Sequence, residues 1–161
     1  MCLVLRSFLY EVLTYANEHY IGTLSGGRYQ FVLSSRQAGR ANQNGLDIDI
    51  YDQDGGKVRS TSTLSGGESF IAALSIALSM AEIVQRRAGG AKIDALFIDE
   101  GFGSLDSNTL NQALEALSMV EQSGRLIGVI SHVESMKRQI QQQMVVTKLG
   151  DGRSRLTYRM V

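Results

Sequence analysis

Between Ser69 and Arg87 the sequence runs S-F-I-A-A-L-S-I-A-L-S-M-A-E-I-V-Q-R-R, apolar on nearly every face when wound at 3.6 residues per turn. A helix of that kind has almost no side to offer water, so it is expected to be buried, and the rest of the chain must supply its cover. Leu64-Ser65-Gly66-Gly67-Glu68 opens the run and Gly89-Gly90 closes it. Its most apolar stretch, Phe70 to Met80, is broken by Ser75 and Ser79, which leaves it short of a membrane span.

The segments around this helix set the fold class. After it, Ile93 to Ile98 predicts a short apolar strand, and Asp106 to Asn108 caps a helix carrying Leu110, Ala113, Leu114 and Leu117, which Gly124 stops. Leu126 to Ile130 predicts another buried strand, then a short polar helix to about Gln142. Met144 to Lys148 and Ser154 to Met160 are expected to pair across Gly150-Asp151-Gly152. Before the helix, Leu5, Phe8, Leu9, Val12, Leu13 and Ala16 recur at helical spacing, so Leu3 to Ala16 opens the chain as an amphipathic helix. Tyr29, Phe31 and Leu33 alternate with polar residues, as do Leu46, Ile48 and Ile50, with a polar loop from Ser34 to Gly45 between them. Asp54-Gly55-Gly56 turns the chain into a third strand, Lys57 to Thr61. Helices alternating with apolar strands imply parallel pairing in the second half, and the class is α/β with a partly antiparallel sheet.

Bulk composition excludes more than it selects. A length of 161 residues at 43% hydrophobic suits one domain, or one lobe of a larger one. Sixteen basic residues balance sixteen acidic ones, so no excess charge announces a polyanionic partner, and any nucleic-acid contact must come from local patches. Cys2 stands alone, forms no internal disulfide and is read as an inert thiol; with no signal-peptide pattern at the start, a reducing cytoplasmic setting is expected.

Four places carry chemistry. The start of the glycine-flanked helix at Ser65, Gly66, Gly67 and Glu68 offers free backbone N–H groups and a favourable dipole to an anion. Ser65 and Glu68 also have the S-x-x-E spacing of a capping box, which needs no ligand. Leu64-Ser65-Gly66-Gly67 has a copy at Leu24-Ser25-Gly26-Gly27, but strand-like alternation follows it, so that copy is a tight turn. Asp99 and Glu100 end an apolar strand on the edge where open α/β sheets bind ligands; Asp99 suits Mg²⁺ and Glu100 a general base, against the plain alternative of a polar turn. Asp106 reads as a ligand-facing residue or a helix cap, and His132, just past the next strand, as a phosphate or water contact or a satisfied surface residue. Asp47, Asp49, Asp52 and Asp54 are expected to be the solvated face of a hairpin rather than a metal site.

Taken in order, these places resemble the signature motif, Walker B strand, D-loop and switch histidine of ATP-binding-cassette ATPases. Phe97-Ile98-Asp99-Glu100-Gly101-Phe102-Gly103-Ser104-Leu105-Asp106 and Gly128-Val129-Ile130-Ser131-His132-Val133-Glu134, with Gly27-Arg28-Tyr29 and Ser62-Thr63, look like the SbcC family, ATPase subunits of bacterial DNA exonuclease complexes. Transporter ATPases usually place proline after the glutamate, where this chain has Gly101 and no proline anywhere. SMC and RecN families are nearer, although Gly101-Phe102-Gly103 departs from their valine-containing sequence.

The resemblance implies the C-terminal lobe of a P-loop ATPase head: 1–20 the helix at the base of a coiled-coil arm, 21–63 antiparallel strands, and 64–161 the signature helix, Walker B, D-loop and switch-histidine region. No G-x-x-x-x-G-K-S/T occurs, so the grip on the β and γ phosphates is expected on an N-terminal Walker A lobe, and the chain is expected to be a fragment or half of a two-chain assembly, inert alone. ATP and Mg²⁺ are the implied cofactors: Asp99 for the metal, Glu100 and His132 for catalysis, and Ser65, Gly66, Gly67, Glu68 and Asp106 for nucleotide. The implied partners are a second head joined through ATP, an SbcD-like metallophosphoesterase nuclease and DNA, in a bacterial, nucleoid-associated setting with no membrane. Alternatives are an SMC- or RecN-like ATPase lobe, and a non-catalytic dimerisation lobe.

Overall fold

The computed structural model describes residues 2–34, 47–89, 94–122 and 124–160. Helix α1 (Cys2–His19) runs into a one-turn helix α2 (Ile21–Leu24), followed by strands β1 (Tyr29–Leu33), β2 (Ile48–Asp52) and β3 (Lys57–Ser60). A 3₁₀ turn (Thr61–Thr63) leads to the long helix α3 (Gly66–Arg87). Strand β4 (Ala95–Asp99), a second 3₁₀ turn (Phe102–Ser104), helix α4 (Ser107–Gln122), strand β5 (Leu126–Ile130) and the short helix α5 (Glu134–Gln139) come next. The hairpin β6 (Gln142–Lys148) and β7 (Ser154–Met160) completes the order.

Three small sheets result among the described residues. β1, β2 and β3 form an antiparallel meander with Phe31 opposite Ile50 and Tyr29 opposite Asp52. β4 and β5 pair in parallel, Asp99 beside Ile130, as the helix between them requires. β6 and β7 pair antiparallel, Met144 opposite Tyr158 and Val146 opposite Leu156.

One core joins α1, α2, α3, α4 and the meander: Leu13, Ala16, Ile21, Leu24, Phe31, Ile50, Leu74, Leu78, Leu110 and Leu117 are all buried. Asn17 stitches the open side of β1 to α1, donating to the Phe31 carbonyl at 2.9 Å and accepting the Phe31 amide at 2.7 Å. Ser75 and Ser79 enter the core without cost in unpaired groups, because each hydroxyl donates to the carbonyl four residues back, at 2.8 and 2.7 Å.

Several expectations need correction. α1 continues to His19, and an unforeseen turn of helix, α2, precedes the strands. The Leu24-Ser25-Gly26-Gly27 copy is a turn, as expected, and it ends this helix: Gly26 and Gly27 have φ of 62° and 84°, and the Gly27 amide reaches back to the Gly22 carbonyl. It is thus the opposite end of a helix from the one Ser65 begins. α3 is buried on one side only, with Met80 and Val84 exposed, because α1, α2 and the 102–104 turn cover a single face. Among the described residues α3 alone is long and apolar enough to cross a membrane, and its Ile71, Leu74 and Leu78 lie in the core. β5 is not buried either: Leu126 and Ile130 are exposed, as is Phe97 of β4, since the sheet has only two described strands. Asp49 and Asp52 are each 5% exposed, contrary to a solvated hairpin face. The expected loop at 34–45, the starts of two strands at Leu46 and Ile93, and Gly90 fall largely outside the described residues.

Candidate functional site

The tip of α3 is built as a capping box. Ser65, extended at φ −65° and ψ 168°, accepts the Glu68 amide at 3.3 Å, and the Ser65 amide donates to Glu68 Oε2 at 2.8 Å. Ser65 and Gly66 are exposed. A Cβ on Gly66 would meet Ser104 at 3.5 Å and one on Gly67 would meet Leu105 at 3.5 Å, ordinary contacts that this chain could accept. The tip therefore leans on Ser104 and Leu105 with its other side open.

Glu68 is held from the meander. Its Oε1 receives a short hydrogen bond from the Tyr29 hydroxyl and another from Arg28 Nη1 at 3.3 Å, while Arg59 Nη2 stands 3.8 Å from Oε2. Burial opposes its ionisation, but the Tyr29 and Ser65 hydrogen bonds and the Arg28 charge outweigh this and hold its pKa below the ordinary value. Burial and the bond to Glu68 push the Tyr29 phenol up to about 12. Asp52 braces both arginines: Arg28 donates to its two oxygens at 3.1 and 3.0 Å, and Arg59 Nε lies 3.2 Å from Oδ2. The Arg28 hydrogen bond is the largest influence lowering the Asp52 pKa. Both oxygens of Glu68 are thus engaged within the chain. The sequence marks neither Arg59 nor Asp52 as part of this site, and Arg28 and Tyr29 only within a motif.

At the other patch β4 delivers Asp99 and Glu100 to its C-terminal end. The Glu100 amide extends the ladder to the Ile130 carbonyl at 2.9 Å, after which Glu100 turns left-handed at φ 58°, followed by Gly101 at 95°. Glu100 is the only non-glycine residue with positive φ among those described, a conformation that costs energy and recurs at functional sites. Beyond it Phe102 plugs the core, meeting Phe70 of α3 edge-on at 4.7 Å. This contact ties the acidic turn to the base of the Ser65 tip.

His132 joins the acids from β5. Its Nδ1 lies 3.5 Å from Glu100 Oε1, and both side chains are open, at 79% and 66% exposure. Asp99 is exposed beside them. Asp106 is a helix cap: Oδ1 accepts the Asn108 and Thr109 amides at 2.9 and 3.0 Å, and Oδ2 the Thr109 hydroxyl at 2.6 Å. Those bonds, led by the Thr109 hydroxyl, lower its pKa. Asp99, Glu100 and His132 therefore form one exposed group, Ser65 to Gly67 a second, and the 102–105 segment links them. Among the described residues no three His, Cys, Asp or Glu side chains gather as a metal cage. A single open carboxylate suits Mg²⁺, which takes one or two carboxylates together with phosphate oxygens and water.

The fold, an antiparallel meander and a capped helix tip beside a parallel strand pair that ends in acids, is that of SMC ATPase head domains. The structure described as "Structural biochemistry of ATP-driven dimerization and DNA stimulated activation of SMC ATPases" superposes with a TM-score of 0.71 at 19% identity, covering 98% of this chain and 89% of the other. The SMC head domain from Thermotoga maritima gives 0.62 at 20% identity, over 94% of this chain and 48% of that one. The "SbcC/RAD50-like, Walker B motif" family model matches residues 40–119. The SbcC component of the SbcCD nuclease of Lactococcus lactis is 54% identical over 95% of this chain, and that of Vibrio cholerae 45% identical over 91%. The chain belongs to the SbcC-type ATPase family. It spans 14% and 15% of the length of those two relatives.

Proposed function

We propose that this chain is the C-terminal lobe of an SbcC-type head, which binds and hydrolyses ATP in a head-to-head dimer and so controls a DNA exonuclease partner. One observation carries the reading: the exposed Ser65 tip and the exposed Asp99, Glu100 and His132 group are both held in one chain against the 101–105 segment, Gly66 beside Ser104 and Gly103 beside His132. A pair of heads related by a two-fold axis would bring the tip of one to the acids of the other.

In such a sandwich Ser65, Gly66 and Gly67 present hydroxyl and amide donors to the terminal phosphate held by the partner head. Among the described residues nothing demands glycine at 66 or 67, and close approach of a ligand from outside supplies the missing reason. Asp99 would hold Mg²⁺, which when bound neutralises charge on the phosphates. Glu100, reaching out from its left-handed turn, accepts a proton from the attacking water on a carboxylate oxygen. His132 orients that water or the phosphate from across the 3.5 Å contact. Glu68 and Asp106, whose oxygens are taken by protein donors, serve the nucleotide by fixing the tip and the D-loop.

The Walker A lobe of the same protein is the partner that would cover the exposed strands. Phe97, Leu126 and Ile130 on β4 and β5, and the Met144, Val146, Leu156 and Tyr158 face of the β6–β7 hairpin, are apolar surface of a kind that a second lobe buries. α1 then serves as the base of a coiled-coil arm. An SbcD-like metallophosphoesterase supplies the nuclease, acting on DNA in the bacterial cytoplasm near the nucleoid; that the relatives are named as part of a nuclease, SbcCD, supports that pairing.

Co-expression with the corresponding Walker A lobe tests the reading, with ATP-dependent assembly and turnover as readouts. Both are expected from the pair, neither from this chain alone. In the pair, Ser65→Arg is expected to abolish ATP-driven dimers while leaving ATP binding intact; dimers that persist would overturn the trans contact.

A further inference from the structure

We infer that Tyr29, braced by Arg28 and Arg59, is a positioning residue that holds the Ser65 tip in the geometry a phosphate needs. The inference rests on the proposed function and names what controls its trans contact.

A capping box needs only the serine and the glutamate of its own helix. Here Glu68 works as a two-ended strut: Oε2 takes the Ser65 amide, and Oε1 is anchored on the meander by Tyr29 and Arg28, 39 and 40 residues earlier. The direction of the Tyr29 proton is set by chemistry. Arg59 Nη2 lies 2.9 Å from the Tyr29 oxygen, and a guanidinium can only donate, so the hydroxyl proton is left for Glu68. The same Arg59 Nη1 donates to the Thr63 carbonyl at 3.1 Å and hydroxyl at 3.2 Å, in the turn that leads into Ser65. The Tyr29 ring is wedged between the two guanidiniums, 4.8 and 5.4 Å from its centre. Lead-in, cap and strut thus converge on one buried phenol. Without it Glu68 can swing away, releasing the Ser65 amide and letting the serine hydroxyl leave its present direction.

Tyr29→Phe keeps the ring in its wedge and removes only the hydroxyl. In the complete two-lobe protein, the ATP-driven dimer is expected to dissociate about tenfold more readily, as for loss of a hydrogen bond to a charged group. ATP affinity of the monomeric head should stay within about twofold, because a positioning residue of the tip does not touch the nucleotide of its own head. Arg59→Met should reproduce the split. Since Tyr29 acts through Ser65, the double variant with Ser65→Ala should be no worse than the weaker single variant. Additive losses, or an equal loss of monomer affinity, would overturn the inference. So would a Tyr29→Phe protein that dimerises normally while Ser65→Arg cannot; that pattern leaves the proposed function standing. Normal dimers in Ser65→Arg itself would remove both.

Discussion

Glu100 Oε1 faces His132 Nδ1 across 3.5 Å although the Glu100 backbone is left-handed at φ 58°. The twist swings the carboxylate off the line of β4 and toward the end of β5, where the histidine stands. Glu100→Gln keeps the shape and the backbone but removes the carboxylate proposed to accept the proton. In the two-lobe protein ATP turnover should fall by roughly a hundredfold or more, with nucleotide binding retained. Steady-state hydrolysis alongside equilibrium ATP binding checks this, and hydrolysis at the original rate would remove Glu100 from its role.

The same backbone makes a prediction of opposite sign for stability. A left-handed conformation costs a non-glycine residue about 1–2 kcal/mol that glycine does not bear, partly offset by glycine's greater freedom when unfolded. Glu100→Gly should therefore unfold at higher denaturant concentration than the parent while hydrolysing ATP no better than Glu100→Gln. A site that is strained for function behaves in this way. Equal or lower stability in urea would show that the turn is not strained.

Gly101 and Gly128 form a matched pair of tests. A Cβ at either would come within 2.4 Å of an aromatic ring, Phe70 for Gly101 and Phe97 for Gly128. Phe70 is held against buried Phe102, and Gly101 also needs φ of 95°, so Gly101→Ala should cost about 2–4 kcal/mol. Phe97 is 68% exposed in this chain and free to turn aside, so Gly128→Ala should cost clearly less. Denaturant midpoints of the two variants decide the order; the reverse ranking would mean that Phe70 yields more easily than its packing implies.

These relationships divide cleanly by how far apart their residues lie in the chain. The α/β class, the parallel β4–β5 pair, the capped start of α3 and the strand-end acids were readable because each is written in neighbouring residues: alternation, a cap three positions from its partner, a turn of glycines. Ser65 and Glu68 do close the capping box that their spacing predicts. The brace on Glu68 was not readable, since Tyr29, Asp52 and Arg59 come from three different strands, with Arg28 just before the first, and no local pattern joins residues so far apart in the chain. The Asp54-Gly55 turn beside it suggests a solvated hairpin end for Asp52, whereas two guanidiniums cover it. The all-round apolarity of α3 likewise suggested complete burial, yet pattern alone cannot say how many faces this chain covers.

Titration offers a last test, on the bond between Tyr29 and Glu68. The Glu68 carboxyl ionises below its ordinary 4.5 in the folded chain, so its contribution is full above that value and is lost as pH falls through the folded pKa. Tyr29 is pushed the other way, from 10.0 to about 12, so its contribution is full below pH 10 and fades as pH rises toward 12. Tyr29→Phe removes the phenol from both limits. The stability difference between parent and Tyr29→Phe should therefore be level through neutral pH, shrink on acidification below about 4.5, and shrink again between pH 10 and about 12. Chemical denaturation across this range, read as a difference between the two proteins, cancels the titration of every other group they share. A difference that stays constant from acid to alkaline pH would mean that the hydroxyl and the carboxylate are not coupled, and the strut to Ser65 would lose its anchor.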